Sequence, residues 1–336
     1  GTSLLAAAVG IATGHFDLVF LYATPNRVFG IITNQTLIAV PLFVLMGIIL
    51  EKSKIAEDLL ITMAQLFGPV PGGLGISVVF VGALLAATTG IIGASVVLLA
   101  LLGLPVMIKQ GYDQRLATGT VCAVGTLGIL IPPSIMLVLM ADRMAMSVGD
   151  LFLGAVFPGA LLGTLYVGYI FLYGLLRPDH APASKGDPID LEAIWELFKA
   201  IVPAAFLILA VLGSIFMGLA TPTEAAGVGA AGALLLAWIN NAIDKTILKE
   251  VLLETTRTTA FIFAVLLGAT AYSLVLRGLG GDELIERALL GLPFGPSGIV
   301  ICILFATFLL GFFLDWIELT LIILPLVSPV VVELGF

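Results

Sequence analysis

Two clusters of small polar residues interrupt the most apolar part of this chain. The first is Thr88-Thr89-Gly90 with Gly93 and Ser95; the second is Gly125-Thr126-Leu127-Gly128, followed by Pro132-Pro133-Ser134. Side-chain hydroxyls, and carbonyls released from helical bonding, are oxygen ligands that can hold an ion or a polar substrate in an apolar setting. Proline removes a donor and clashes with the preceding turn, and the first of a Pro-Pro pair is itself pushed out of the α region. Pro132 and Pro133 are therefore expected to hold a helix open. The competing reading is that the glycines only let helices pack closely.

The elements that must carry these residues follow from length. Leu74 to Ile108 contains no charged residue. As one helix it would be about 52 Å long, against a hydrocarbon core of about 30 Å. Two full spans would need about 40 residues plus a turn. Two short helices meeting at a polar tip near Thr88–Ser95 fit better, which predicts a re-entrant hairpin over about 74–108. Exposed backbone at membrane depth is tolerated only where protein buries it or it lines a cavity. A hairpin tip followed by a broken helix, about 116–140, is the arrangement by which transporters bring helix ends to a midplane site.

Composition sets the class. Mean hydropathy is +1.20, 60% of residues are hydrophobic and 11% are charged, so the chain reads as an all-α, polytopic membrane protein in a lipid bilayer. The net charge of −8 gives no basic footprint for nucleic acid. Cys122 and Cys302 lie in apolar segments and read as packing residues, while His15 and His180 are too isolated to suggest a metal site. The chain opens on Gly1-Thr2-Ser3 without a signal-peptide layout and reads as a piece of something longer.

In chain order, residues 1–21 form an apolar segment, 23–27 a loop, and about 31–50 a span. Residues 51–67 have an amphipathic spacing that suits a helix along the interface or a packed helix. After the hairpin and broken helix comes a span over about 152–176. Residues 177–199 form a polar linker that ends in a short amphipathic helix around Trp195. Spans follow at about 200–219 and 222–240, then a polar stretch (240–259) and a span at 260–277. Residues 298–327 are apolar except for Asp315 and Glu318.

The chain also resembles itself. Residues 43–47 recur at 263–268, 67–69 at 294–296, and 104–112 at 328–336, in the same order. This predicts a first repeat half (1–176) and a second (200–336), with 298–327 as the second hairpin. The second copy ends at Phe336 where the first continues into its broken helix, so that partner is expected to be missing, a C-terminal truncation. If the hairpins return to their own side, ten cations (Lys52, Lys54, Lys109, Arg115, Arg177, Lys185, Lys199, Lys245, Lys249, Arg257) share one face. Arg27, Arg143, Arg277 and Arg287 share the other. That bias marks a cytoplasmic face and makes the halves inverted repeats.

These residues resemble the large membrane subunit of tripartite ATP-independent periplasmic (TRAP) transporters, the dicarboxylate-type large permease. The likeness rests on residues 89–95, 105–117, 125–134 (GTLGILIPPS), 148–159, 220–230 (ATPTEAAGVGA) and 313–331. Where many relatives have a serine-rich hairpin tip, this chain has Thr88-Thr89-Gly90 and Gly93-Ala94-Ser95, which leaves the substrate open.

The resemblance implies an elevator-type Na⁺ symporter in the bacterial inner membrane that imports organic acids. Its partners would be a small four-helix membrane subunit and a periplasmic substrate-binding protein. No enzymatic activity or cofactor is expected beyond Na⁺ as coupling ion. Under that resemblance Thr88, Thr89, Ser95, Ser134 and Asp315 contact substrate, and Gly90, Gly93, Ser95, Gly125, Thr126 and Gly128 contribute to the ion site. Helix N-termini at the hairpin suit a carboxylate. Glu224, just after Pro222, reads as a helix-start residue, and Glu318 as an interface residue. The alternative function is an autonomous Na⁺-coupled divalent-anion symporter, which would need no binding protein.

Overall fold

The computed structural model describes the backbone of residues 2–53, 55–89, 92–183 and 191–336, with side chains over most of that length. Seventeen α-helices follow one another among these residues. They are α1 (Thr2–Ala12), α2 (Ala23–Ile32), α3 (Ala39–Lys52), α4 (Ile55–Phe67), α5 (Gly73–Thr89) and α6 (Ile92–Lys109). Next come α7 (Gln114–Gly125), α8 (Leu127–Leu130), α9 (Ile135–Met144), α10 (Val148–Leu176), α11 (Leu191–Phe216) and α12 (Pro222–Ile239). The chain continues through α13 (Lys245–Gly278), α14 (Gly281–Leu290), α15 (Pro296–Leu310), α16 (Trp316–Glu318) and α17 (Leu324–Glu333), with a π-helical stretch at Leu319–Ile323. Among the described residues, four helices are long and apolar enough to cross a membrane by length and composition: α10, α12, α13 and the run Trp316–Glu333. The count rises to six if the bent pairs in 19–52 and 114–144 each form one span.

The helices group into two compact units. One comprises Ile38–Val138 and Ser147–Thr258; the other comprises Gly1–Leu37, Leu139–Met146 and Thr259–Phe336. In the first, α12 packs on α3 through small residues. Ala226, Ala233 and Ala237 are fully buried, and a Cβ at Gly229 would sit 2.7 Å from Met46 Sδ and 3.0 Å from Val211 Cγ2. Small residues let helix axes approach where lipid supplies no hydrophobic drive for association. The start of α12 is fixed by a capping box: Thr221 Oγ1 accepts from the Glu224 N–H, and Glu224 Oε2 accepts from the Thr221 N–H at 2.8 Å. Glu224 is the helix-start residue its position predicts.

Four boundaries differ from the sequence reading. Residues 23–27 are not a loop but the first turns of α2; Pro25 is tolerated there because the first N–H groups have no intrahelical partner. The span expected over 31–50 is broken between Ile32 and Thr36, where Asn34 Oδ1 accepts from the Thr36 N–H at 2.9 Å. The helix around Trp195 and the span after it are one helix, α11, running through Pro203. The polar stretch after 240 is helical from Lys245 and continues unbroken into the next span as α13. In both of these cases the sequence shows a change of polarity that does not end the helix, and in α11 the helix also continues through Pro203.

Candidate functional site: a helical hairpin on a broken helix

Helices α5 and α6 form the first predicted hairpin, joined across residues 90 and 91, which lie outside the described residues. Its register is antiparallel. A Cβ at Gly82 would sit 2.8 Å from Leu99 Cδ1, and one at Gly103 would sit 3.2 Å from Val78 Cγ2. Within each contact the two partners are equidistant from the turn. Ser77, Val78, Ser95, Leu99 and Met107 are buried, so each arm has a face covered by protein, while Val97 and Leu101 on the second arm are exposed.

What encloses it is the broken helix. Both arms pack on α7, and α5 also runs along α8. Gly125, the last residue of α7, meets the start of the second arm: a Cβ there would overlap Val96 Cγ2 and stand 3.2 Å from Val96 Cα. Only a residue without a side chain allows that approach. Thr126 occupies the joint between α7 and α8, and its hydroxyl donates to Ala123 O at 2.7 Å. Gly128 is buried in α8.

The break itself follows from Pro132 and Pro133. Neither can donate to the carbonyls of Gly128 and Ile129 as a continuing helix would require. Ile131 is extended (φ −84°, ψ 121°), and α9 resumes at Ile135 with a bend of 44°. Ser134 is fully buried, and its hydroxyl donates to Ile129 O at 2.7 Å, replacing one of the two lost bonds. Both Thr126 and Ser134 thus spend their proton on a local carbonyl, which leaves hydroxyl lone pairs as the available ligand.

The base of the hairpin is also held. Residues 177–183, read as linker, fold against it: the Gly72 N–H donates to Ala181 O at 3.1 Å and the Asp113 N–H to His180 O at 2.9 Å. His180 Nδ1 lies 3.8 Å from Asp113 Oδ2 and 3.3 Å from Tyr173 Oη. Tyr112 closes the same end, its hydroxyl accepting from the Gly75 N–H at 3.4 Å. Burial raises the Tyr112 pKa above its usual value, and the N–H groups of Gly75 and Leu74 oppose this.

The predicted site residues therefore divide. Ser95, Gly125, Thr126, Gly128, Pro132, Pro133 and Ser134 belong to one packed assembly of hairpin and broken helix. Gly93 is in the first turn of α6, exposed, with open space beside its Cα. Thr88 and Thr89 end α5, but their side chains, like all of Gly90, lie outside the described residues. Asp315 belongs to the other unit, in the second hairpin formed by α15 and the run from Trp316; it is exposed and accepts from the Trp316 N–H at 2.8 Å. Three residues further on, Glu318 has one carboxylate oxygen shielded and without a hydrogen-bond partner among the described residues. An unpartnered carboxylate oxygen in an apolar hairpin is a stronger functional signal than a capped, exposed one. Its depth depends on a turn geometry that spacing does not reveal.

A second polar feature was not apparent in the sequence. Asn34, Asp142, Arg143, Arg27, Thr270 and Arg277 surround an open cavity of about 400 Å³ in the second unit. Asn34 and Asp142 are joined by a hydrogen bond across 108 residues of sequence.

Comparison with known proteins adds the lineage. The model for "Tripartite ATP-independent periplasmic transporter, DctM component" matches residues 1–336. The C4-dicarboxylate TRAP transporter large permease protein DctM of Pseudomonas aeruginosa is 30% identical over 309 residues, covering 90% of this chain and 70% of that protein. Its counterpart in Vibrio cholerae is 30% identical over 323 residues, with the same coverage. The isethionate TRAP transporter permease protein DctMQ of Oleidesulfovibrio alaskensis is 26% identical across 100% of this chain, which spans 52% of that protein. These relatives are transporter permeases and not enzymes. The chain belongs to the DctM component family of tripartite ATP-independent periplasmic transporters.

Proposed function

We propose that this chain is the large multi-pass permease subunit of a sodium-driven importer of organic acids in a bacterial inner membrane. The substrate is delivered by a periplasmic binding protein, and a small four-helix membrane subunit supports the permease. The observation that carries this reading is the α5–α6 hairpin packed along a Pro-broken helix within one unit, with Val96 against Gly125. That packing suits movement of hairpin and broken helix as one body, as an elevator mechanism requires, and re-entry of the hairpin into the bilayer follows from its length.

In this reading Ser95, Gly125, Thr126, Gly128 and Ser134, with Thr88, Thr89, Gly90 and Gly93 at the tip, provide oxygen ligands for Na⁺ and the first half of the substrate site. Asp315 or Glu318 supplies the second hairpin's contribution. Relatives are named for C4-dicarboxylates, isethionate and ectoine, so the likeness supports small organic acids and zwitterions as a class. The test is uptake of labelled succinate and related acids into proteoliposomes containing the full-length permease and its small partner. Uptake is expected only with both a Na⁺ gradient and the cognate binding protein. Uptake without any binding protein would establish an autonomous divalent-anion symporter instead, and uptake indifferent to Na⁺ would remove the proposed coupling ion.

A further inference from the structure

Three of the four cations that the sequence places on the minority face, Arg27, Arg143 and Arg277, come from separate segments of the chain and line the same open cavity of about 400 Å³. Their charges are not equally available. Asp142 is occupied: its Oδ2 lies 2.9 Å from Arg143 Nη2 and 3.1 Å from Arg143 Nε, and its Oδ1 accepts from the Asn34 amide. Arg277 Nε pairs with Asp282 Oδ2 at 2.8 Å. Arg27 has no acid partner among the described residues, although it is only partly exposed. The cavity therefore contains one uncompensated guanidinium, held beside two others that are fixed in place by their own acids. Ile31, which is buried, and Gly30, beside which there is open space, also line it.

We propose that this cavity binds one carboxylate of a small organic acid, with Arg27 as anchor, at the far end of α9 from the Pro132-Pro133 break and with none of the Thr, Ser and Gly residues assigned above in its lining. A planar guanidinium takes a carboxylate through two parallel N–H bonds. The cavity is far larger than a lone carboxylate requires, which favours a free small molecule over a single acidic side chain. The ion-paired Asp142 and Asp282 leave the cavity with a net attraction for one negative charge. The proposal requires neither Na⁺ coupling nor transport, so it stands or falls independently of the reading above.

The test uses the full-length protein in nanodiscs with Cys122 and Cys302 replaced by Ala. Gly30→Cys places a thiol in the cavity, where a Cβ meets nothing within 4 Å. A negatively charged methanethiosulfonate reagent should modify it about tenfold faster than a positively charged one, each normalised to its rate with a free thiol. Millimolar succinate should slow that modification, while sodium chloride at equal ionic strength should not. Arg27→Gln should abolish both the preference and the protection while the thiol stays reactive. Arg27→Lys should keep the preference but weaken the protection, because charge remains and the two-bond geometry is lost. Equal rates for the two reagents, or succinate protection that survives either substitution unchanged, overturns the proposal.

Discussion

The two helical hairpins are both apolar, and they differ in how neighbouring helices meet them. In the first, Leu99 and Ser95 have no exposed surface, and the broken helix lies along both arms. In the second, Leu304 is 63% exposed and Phe313, in the turn, is 88% exposed. Each hairpin also has the opposite kind of face: Val97 and Leu101 are exposed on the first, and Ile299 and Ile303 are buried on the second, so the difference lies in how closely neighbours approach the covered face. The first hairpin has Gly82, Gly103 and Gly125 at its contact points, so helices approach until side chains interlock. Along α15 the outward positions are large: Ile301, Leu304, Phe305 and Phe308. Small residues at the contact allow helices to pack closely against each other.

The strongest test of that contrast is a matched pair. Leu99→Ala should destabilise the purified protein by about 2–5 kcal/mol, because a fully buried side chain leaves a cavity. Leu304→Ala should cost less than about 0.5 kcal/mol. Thermal unfolding in one detergent reads both, and equal losses would show that Leu304 is as covered as Leu99. Gly125→Ala comes next, at about 1–3 kcal/mol, because Val96 Cα cannot yield to the added methyl as a side-chain tip would.

Smaller effects sharpen the assignment of roles. Ser134→Ala should cost about 1 kcal/mol through the lost bond to Ile129 O. If the hydroxyl also serves Na⁺, the Na⁺ concentration giving half-maximal uptake should rise severalfold; an unchanged value would make Ser134 purely structural. Gly93→Ala should be neutral or should stabilise by up to about 1 kcal/mol, since its site is open and alanine favours helix. Uptake that falls while stability holds would place Gly93 in the ion site, and unaltered uptake would remove it.

Local chemistry explains which features could be read in advance. The hairpin was legible because charge-free length and a Gly/Thr tip admit few alternatives in a membrane. The break at Pro132-Pro133 and the cap at Thr221–Glu224 depend on residues within one turn of each other. By contrast, the continuity of α11 and α13 was hidden because a change from polar to apolar surface resembles an element boundary, although the backbone needs no break there. The docking of residues 177–183 on the hairpin base was also hidden. It uses backbone groups of Gly72, Asp113, His180 and Ala181, which side-chain patterns do not report.

The sequence by itself determined the class, the family resemblance and the break at Pro132-Pro133, because hydropathy, proline and glycine act on their own neighbours. Tertiary structure alone decided which breaks meet. It set Gly125 against Val96 and turned the Ser134 hydroxyl onto Ile129 O. It also gathered Arg27, Asn34, Asp142 and Arg277 around one cavity and, among the described residues, gave Arg277 an acid partner and Arg27 none. Hydrogen bonds and charge pairs between residues a hundred positions apart depend on distance in space, and no spacing along the chain encodes that distance.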